Sequence, residues 1–353
     1  MKTRFRQNSR AGIALIMVMI AIALFSILAA ALWFSIKVET RLARNAGNEE
    51  QLLWLGRSGV EYARWILSQE ASIAGEPYDS LNQIWAGGPG GPGETNSVLA
   101  GISLDNYQIG QGTVSLKIID LDRKININTA GDQLIQQVLT VMGVDADSIS
   151  VVSDSILDWI DPPAPPRIAG AESDYYQSLT PPYYAKNAPI DDLSELLLVK
   201  GVTPEMYYGG DLSNSPAPQK TKLGIGNAPG DIPVYPFGLK DIFTPISAGR
   251  ININTADTNV LQMIPGVDAA LAASIIQQRA GPDGVDGTED DTPFRNASQL
   301  TSLGIQNTSL CTTRSSVFEV HVTAKIGDSQ REFIATLYRN SGTDIQVLGF
   351  YWK

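Results

Sequence analysis

One stretch of the sequence has residue types and spacing that could bind a metal ion. Between Gly281 and Asp291, five carboxylates fall within nine residues, among glycines that permit a tight wrap; they are Asp283, Asp286, Glu289, Asp290 and Asp291. Calcium takes about six to eight oxygen ligands, which such a loop can supply. The spacing is not that of an EF-hand, so a solvated acidic loop is the alternative. We predict a calcium site here without assigning the coordinating oxygens.

Other chemistry-bearing residues are few. The chain has one histidine (His321) and one cysteine (Cys311). Few residues could therefore form a nucleophile–base pair, and an intramolecular disulfide is impossible. We expect His321 to be packed or half-exposed on a strand and Cys311 to be buried. A second acidic stretch spans residues 154–174, and its segment Asp158 to Asp161 is predicted to close a helix before Pro162 rather than to bind metal. We predict a non-enzymatic protein, although an anchored hydrolase using a carboxylate pair stays an alternative.

The N-terminus combines a basic leader with a long apolar run. Residues 1–12 carry four basic residues and no acid, and the next 24 residues, 13–36, carry no charge. As a helix this run is about 36 Å long, which spans a hydrocarbon core of roughly 30 Å. The basic flank predicts a cytoplasmic N-terminus and an exported body. A plain anchor and a signal peptide cleaved after Ala31 are the alternatives.

The patterns after the apolar run predict a helix, a loop and several strands. Apolar residues recur at helical spacing from Val38 to about Gln69, although Gly47, Gly56 and Gly59 weaken the pattern. The segment 87–93 matches G-x-G-x-x-G, but its prolines predict a flexible loop. Alternation predicts one strand ending near Asp122 and three more at the C-terminus, in residues 317–324, 331–338 and 345–351.

The middle of the chain contains an internal repeat. Residues 124–130, Lys-Ile-Asn-Ile-Asn-Thr-Ala, return as Arg-Ile-Asn-Ile-Asn-Thr-Ala at 250–256. Thr129 and Thr255, or the asparagine before each, are candidates to cap the following helix. Glycine turns that can end one helix before Asp or Thr caps the next predict four helix–turn–helix units. These turns begin at Gly143, Gly201, Gly266 and Gly304.

The predicted units resemble helix-hairpin-helix modules, a fold that often binds DNA phosphates. Around the best hairpin, residues 263–276, there is no Lys or Arg, and Arg279 is the nearest base. The formal net charge of the chain is -11. Without cations the counterion release that drives DNA binding is missing. Nucleic-acid binding is therefore not expected, and a membrane-tethered DNA-binding protein is the alternative function.

The whole chain resembles the K-type minor pseudopilins of the type II (general) secretion pathway. Its leader ends in Gly12, and Met17 stands where most pilin-like proteins have glutamate at the fifth mature position. The other residues that carry the resemblance are 157–161, 170–176, 187–196, 201–203 and 251–256. The resemblance covers nearly the whole chain.

The resemblance implies an α+β fold. We expect a type IV pilin-like fold, with a long N-terminal helix plus a small antiparallel sheet, and a large inserted α-helical domain of helix-hairpin-helix or SAM-like repeats. The implied division is a leader at 1–12, a transmembrane helix at 13–36, a pilin-like helix with the first strands at 37–123, the inserted domain at 124–308 with copies at 124–205 and 250–308, and C-terminal strands at 309–353.

The resemblance also implies processing, partners and location. Prepilin peptidase would cleave between Gly12 and Ile13 and methylate Ile13. The subunit would lie at the pseudopilus tip, start assembly and support export across the outer membrane. Its partners would be the I- and J-type minor pseudopilins, the major pseudopilin, the inner-membrane assembly platform and prepilin peptidase. The implied location is the bacterial inner membrane, with a single pass, a cytoplasmic N-terminus and a periplasmic body. Family members can bind calcium, which we assign to the loop at 283–291.

Overall fold

A computed structural model describes residues 10–94, 97–210 and 235–353, without the side chains of residues 10–13 and 44–46. The α-helices are α1 (Arg10–Glu70), α2 (Asp132–Met142), α3 (Ala146–Ile160), α4 (Ser173–Gln177), α5 (Pro204–Tyr208), α6 (Leu239–Ile242), α7 (Thr258–Leu261) and α8 (Ala269–Arg279). The strands are β1 (Tyr107–Ile109), β2 (Gly112–Asp120), β3 (Ile125–Asn126), β4 (Phe243–Thr244), β5 (Ile251–Asn252), β6 (Cys311–Thr312), β7 (Val317–Ile326), β8 (Ser329–Arg339) and β9 (Ile345–Trp352). Short 3-10 helices include Ile84–Ala86, Leu193–Leu198 and Ala297–Leu303.

Helix α1 is one continuous helix of 61 residues, which corresponds to about 92 Å. It ends at Glu70, close to the end at Gln69 that the periodicity predicts. From Leu52 onward one face of the helix is buried, including Leu52, Leu55, Val60, Ile66 and Leu67, whereas Trp54 and Trp65 on other faces are exposed. Val38 and Leu42, predicted to continue this stripe, are instead exposed. They lie N-terminal to the part of α1 that packs on the sheet.

The sheet has five antiparallel strands in the order β1-β2-β7-β8-β9. Strand β2 pairs with β7 along its length, with Leu116 opposite Val322. The early strand therefore joins the C-terminal strands in one sheet. One face of the sheet and the second half of α1 form a common core, which includes Leu67, Leu116, Val322 and Phe333.

Two glycines in α1 are positions of close helix–sheet approach. A Cβ at Gly56 would lie 2.7 Å from Cε2 of Phe333, and a Cβ at Gly59 would overlap the side chain of Val322. A Cβ at Gly47, by contrast, would meet nothing within 4 Å. Two of the three glycines that weaken the helical pattern in the sequence, Gly56 and Gly59, are therefore those that bring α1 onto the sheet.

A second lobe lies between Asp120, the end of β2, and Val317, the start of β7. It has its own core, which includes Ile135, Leu139, Ile156 and Ile264. Strand β3 pairs in parallel with β4, and β5 pairs in parallel with β6. The two repeat openings are thus two equivalent short strands, and each pairs with a short strand that lies beyond the predicted end of its copy. Strand β6 belongs to this lobe, whereas the sequence places residues 309–353 with the C-terminal sheet.

Three of the four predicted glycine turns are followed by a helix. Gly143 separates α2 from α3, and Gly266 separates α7 from α8, with φ values of 84° and 85°. Gly201 separates a 3-10 helix from α5. The fourth prediction is wrong: Gly304 ends a 3-10 helix, but residues 305–310 form no helix. The chain must instead return to β6, where Cys311 pairs with Ile251.

The predicted caps are confirmed in two places. Asp268 accepts a hydrogen bond from the backbone of α8, and Thr203 does so for α5. The threonines of the repeat are not caps, because Gly131 and Asp257 occupy those positions. The hydroxyl of Thr255 donates to Asp120 instead, at 2.5 Å.

Candidate functional site

The N-terminal part of α1 is long and apolar enough to cross a membrane. An 18-residue window has a mean hydropathy of 2.9, and none of it is buried. Met17 is 61% exposed, so the fifth position after the predicted cleavage presents an apolar side chain outward. Gly12 and Ile13, the predicted processing residues, lie in helical backbone at the beginning of α1. Their side chains are outside the described part of the chain.

The acidic loop surrounds one ion pair with a buried arginine. Asp286 accepts hydrogen bonds from Arg279, at 2.9 Å from Nε and 2.7 Å from Nη2. Arg279 is 3% exposed and also donates to the carbonyls of Ile253 and Ala256, both at 2.7 Å. Asp286 therefore neutralises the cation that fixes the second repeat opening, and it is not a free metal ligand in this geometry.

The other loop carboxylates mostly accept hydrogen bonds from the loop itself. Asp291 accepts from the backbone of Gly287 at 2.8 Å, and Asp290 accepts from the backbone of Asp283 at 3.0 Å. Burial raises the pKa of Asp291. Glu289 is exposed. In the described residues this loop does not gather three carboxylate oxygens within 4.8 Å of one another. The calcium assignment stays a prediction, and the geometry gives it no convergent ligand set.

The best hairpin, α7–α8, has its helix N-termini occupied by carboxylates. Asp257 accepts from the backbone of Asn259 and Val260, both at 3.0 Å, and Asp268 accepts from Leu271 at 2.8 Å. A helix N-terminus binds phosphate through these same N–H groups. Since Arg279 is also paired with Asp286, the capping carboxylates and the paired arginine do not favour phosphate binding at this hairpin.

The repeat asparagines hold the chain at equivalent points in the two copies. The amide of Asn128 accepts from the backbone N–H of Ile190 at 2.7 Å and donates to its carbonyl at 2.9 Å. The amide of Asn254 does the same with Phe294, at 2.8 Å and 2.9 Å. Each clamped residue leads into a 3-10 helix with a capping box. The repeated motif is therefore a structural clamp.

A buried polar cluster joins the two lobes where the insertion leaves and rejoins the sheet. Asp120 accepts hydrogen bonds from Asn252 at 3.1 Å, from Ser315 at 2.6 Å and from Thr255. Burial, and then the neighbouring Asp122, raise the pKa of Asp120 to about 7. The second repeat opening thus contacts the end of β2 directly.

An ion pair extends this cluster to the C-terminal strands. Asp79 pairs with Arg339, and both side chains are 2% exposed. Asp79 also accepts from the backbone of Ser315 at 2.7 Å. The sequence gives no sign of this pair, because its members are 260 residues apart.

The second acidic stretch is a packed segment. Arg167 pairs with Asp158 at 2.8 Å and with Asp161 at 2.6 Å. Trp159 packs edge-on against Tyr176, with ring centroids 5.3 Å apart. These contacts fold the proline-containing chain after α3 back onto the helix.

The single histidine pairs with two glutamates, and the single cysteine is buried in the core. His321 lies between Glu319 at 2.7 Å and Glu332 at 2.9 Å, and the hydrogen bond with Glu319 is the main cause of its raised pKa. Cys311 is buried, which raises the pKa of its thiol to about 11. Both predictions for these residues, half-exposed and buried, are confirmed.

In comparisons with known proteins, the chain is similar to protein K of the type II secretion system. Residues 115–209 match the family described as type II secretion system (T2SS), protein K. Type II secretion system protein K of Pseudomonas aeruginosa is 25% identical over 348 residues, which cover 96% of this chain and 91% of the relative. The protein K of Klebsiella pneumoniae is 26% identical over 210 residues, or 56% of this chain and 59% of the relative.

A solved structure shares the fold. A chain in the crystal structure of the GspK-GspI-GspJ complex from the enterotoxigenic Escherichia coli type 2 secretion system aligns with a TM-score of 0.60 and 18% identity, covering 88% of this chain and 99% of that chain. This likeness bears on the fold, including the long helix with its antiparallel sheet. Together, the family match, the curated relatives and the shared fold confirm the resemblance of this chain to protein K of the type II secretion system.

Proposed function

We propose that this chain is a non-enzymatic minor pseudopilin that lies at the pseudopilus tip, starts pseudopilus assembly and supports export across the outer membrane. The observation that carries the proposal is the fold shared with a chain of the GspK-GspI-GspJ complex. The partners named in that complex belong to the solved protein. We carry over the expectation that I- and J-type minor pseudopilins bind this chain.

The geometry supports a position at the end of a fibre. A second lobe, with its own core, lies between two neighbouring strands of the sheet. Such a wide head leaves little room for another subunit above it. Met17 supports the same position. A glutamate at that site would be buried in the fibre and would need a cationic partner from a neighbouring subunit. Methionine carries no charge, so this chain does not need that neighbour.

The exposed apolar half of α1 supports an inner-membrane anchor before assembly. We propose that prepilin peptidase cleaves between Gly12 and Ile13 and methylates Ile13. We also propose that the N-terminus faces the cytoplasm and that the two lobes are periplasmic, as the basic leader implies. In the fibre, small residues such as Ala21 and Ala23 let helices of neighbouring subunits pack closely.

Labelling of isolated pseudopili tests the tip position. Antibodies against the inserted lobe are applied to pseudopili sheared from secreting cells, with antibodies against the major pseudopilin as the control. We expect the inserted-lobe label at one end of each fibre and the control label along its length. Label for the inserted lobe along the whole fibre would contradict the proposal. Tight, salt-dependent binding of duplex DNA by the full chain would instead favour the DNA-binding alternative.

A further inference from the structure

A stripe of basic and aromatic side chains lies on α1 at the end of the apolar run. Lys37 is the first charged residue after the uncharged residues 13–36, and Arg41 follows about one turn later. At about 100° per residue, Trp33, Lys37 and Arg41 lie within about 80° of one another around the helix, whereas Glu39 lies about 160° from Lys37. We call Trp33, Lys37 and Arg41 the basic stripe. It faces away from the carboxylate that is nearest in the sequence.

The side chains of the basic stripe form a cleft against the helix. The cleft has a volume of about 380 Å³ and is lined by Trp33, Ile36, Lys37, Thr40 and Arg41. Nζ of Lys37 lies 4.7 Å from the ring centroid of Trp33, which is a cation–π contact. The hydroxyl of Thr40 donates back to the carbonyl of Ile36 at 2.7 Å. The cleft therefore combines an aromatic wall with two cations.

Neither cation of the basic stripe is neutralised within the part of the chain that the structure describes. No Asp or Glu of those residues forms an ion pair with Lys37 or Arg41. Both side chains are exposed. The stripe therefore presents two positive charges that complement an anion from outside the chain.

The position of the stripe along α1 matches the headgroup layer of a membrane. A hydrocarbon core is roughly 30 Å thick, and the headgroups add about 5–8 Å on each side. Lys37 directly follows the apolar run, and Arg41 lies about 6 Å further along the helix axis. Tryptophan is enriched at this interface, where its ring lies at the headgroup level. When α1 spans a bilayer, both cations therefore lie among the headgroups, with Trp33 just below them.

We propose that Trp33, Lys37 and Arg41 bind the headgroup phosphate of an anionic phospholipid, in the leaflet at the C-terminal end of the apolar run. The phosphate accepts charge-assisted hydrogen bonds from the ammonium and guanidinium groups, and the apolar part of the lipid packs against Trp33. The aromatic wall and the level of the stripe favour a lipid over a carboxylate of a neighbouring subunit. The bound lipid holds the anchored chain at a fixed depth. This proposal rests on the membrane anchor proposed above, and not on the tip position.

Photo-cross-linking of lipid to the full chain in phosphatidylcholine nanodiscs tests the proposal. Two trace probes, a phosphatidylglycerol and a phosphatidylcholine, each carry a diazirine in the headgroup, and a third probe carries it in the acyl chain. Peptide mass spectrometry locates the cross-linked residues. The test variant combines Lys37→Gln and Arg41→Gln. The matched control is Arg57→Gln, because Arg57 is also a cation over a tryptophan of α1, at 5.2 Å from the ring centroid of Trp54.

We expect the phosphatidylglycerol headgroup probe to label residues 33–41 roughly tenfold more than the phosphatidylcholine probe, because each cation near an anionic headgroup adds attraction. The double variant should lose this preference. Arg57→Gln should keep it, since Arg57 lies about 24 Å beyond Arg41 along the helix. Label on the basic leader is distinguished by its position at the other end of the apolar run. The acyl-chain probe should label residues 13–36 equally in all three chains, which shows that the variants insert.

Two results would overturn the proposal. They are equal labelling of the stripe by both headgroup probes in the wild-type chain, and an unchanged preference in the double variant. Either result together with normal acyl-chain label contradicts the lipid site alone. Absence of acyl-chain label from residues 13–36 would contradict the membrane anchor as well. Misplaced antibody label on the fibre bears only on the tip position and leaves the lipid site standing.

Discussion

At the scale of single residues, the joint between the two lobes depends on buried charges. Asp79 and Arg339 neutralise each other, and Asp79 also receives the backbone N–H of Ser315. Asp120 gathers donors from the repeat opening and from the segment that precedes β7. These side chains come from distant parts of the sequence, so only the folded structure shows that they connect the two lobes.

Removing one member of the buried pair should be costly. We expect Asp79→Ala to lower the free energy of unfolding by about 3–5 kcal/mol, because it leaves Arg339 buried and unpaired. Denaturant unfolding of the full chain in detergent measures this change. The matched control is Glu49→Ala, which removes the exposed partner of Arg331 and should cost no more than about 1 kcal/mol. Equal losses in both variants would mean that the buried pair does not stabilise the joint.

At the scale of elements, the close packing of α1 on the sheet depends on two glycines. We expect Gly59→Ala to lower the free energy of unfolding by about 1–3 kcal/mol, because its Cβ would overlap Val322. The control Gly47→Ala has free space and should raise helix stability by up to about 1 kcal/mol. Unfolding monitored by circular dichroism distinguishes the two. A stabilising effect at Gly59 would contradict the packing described here.

The elements themselves were largely predictable, because local patterns encode them. Alternation predicted β2, β7, β8 and β9, and the end of α1 was predicted to within a residue. The repeat predicted that two equivalent units exist. It did not predict that Asn128 and Asn254 clamp residues 62 and 40 positions further along the chain, because sequence spacing does not encode such pairings.

The candidate sites were less predictable for a related reason. The acidic loop was found because its carboxylates are adjacent in sequence, yet Asp286 is paired with Arg279. Three buried glutamates whose carboxylate oxygens lie within 4.8 Å of one another, Glu70, Glu76 and Glu94, were missed, since they stand at the end of a helix and on both sides of a glycine-rich segment. Convergence of the three depends on the turn after α1 and on the closing of segment 87–93.

At the scale of the whole molecule, the chain separates an exposed apolar helix half from two packed lobes. The apolar half suits a membrane, and later the packed helices of a fibre. Under the proposed function, the two lobes would form the wide end of the fibre, which no further subunit covers. The polar joint around Asp79 and Asp120 holds the inserted lobe to the sheet.

The mature N-terminus tests the central claim most directly. Mass spectrometry of the protein from cells with and without prepilin peptidase measures whether residues 1–12 are removed and whether the new terminus is methylated. We predict a chain that begins at methylated Ile13 in cells with the peptidase and an uncleaved chain in cells without it. An intact Met1 in both, or cleavage after Ala31, would contradict the pseudopilin assignment.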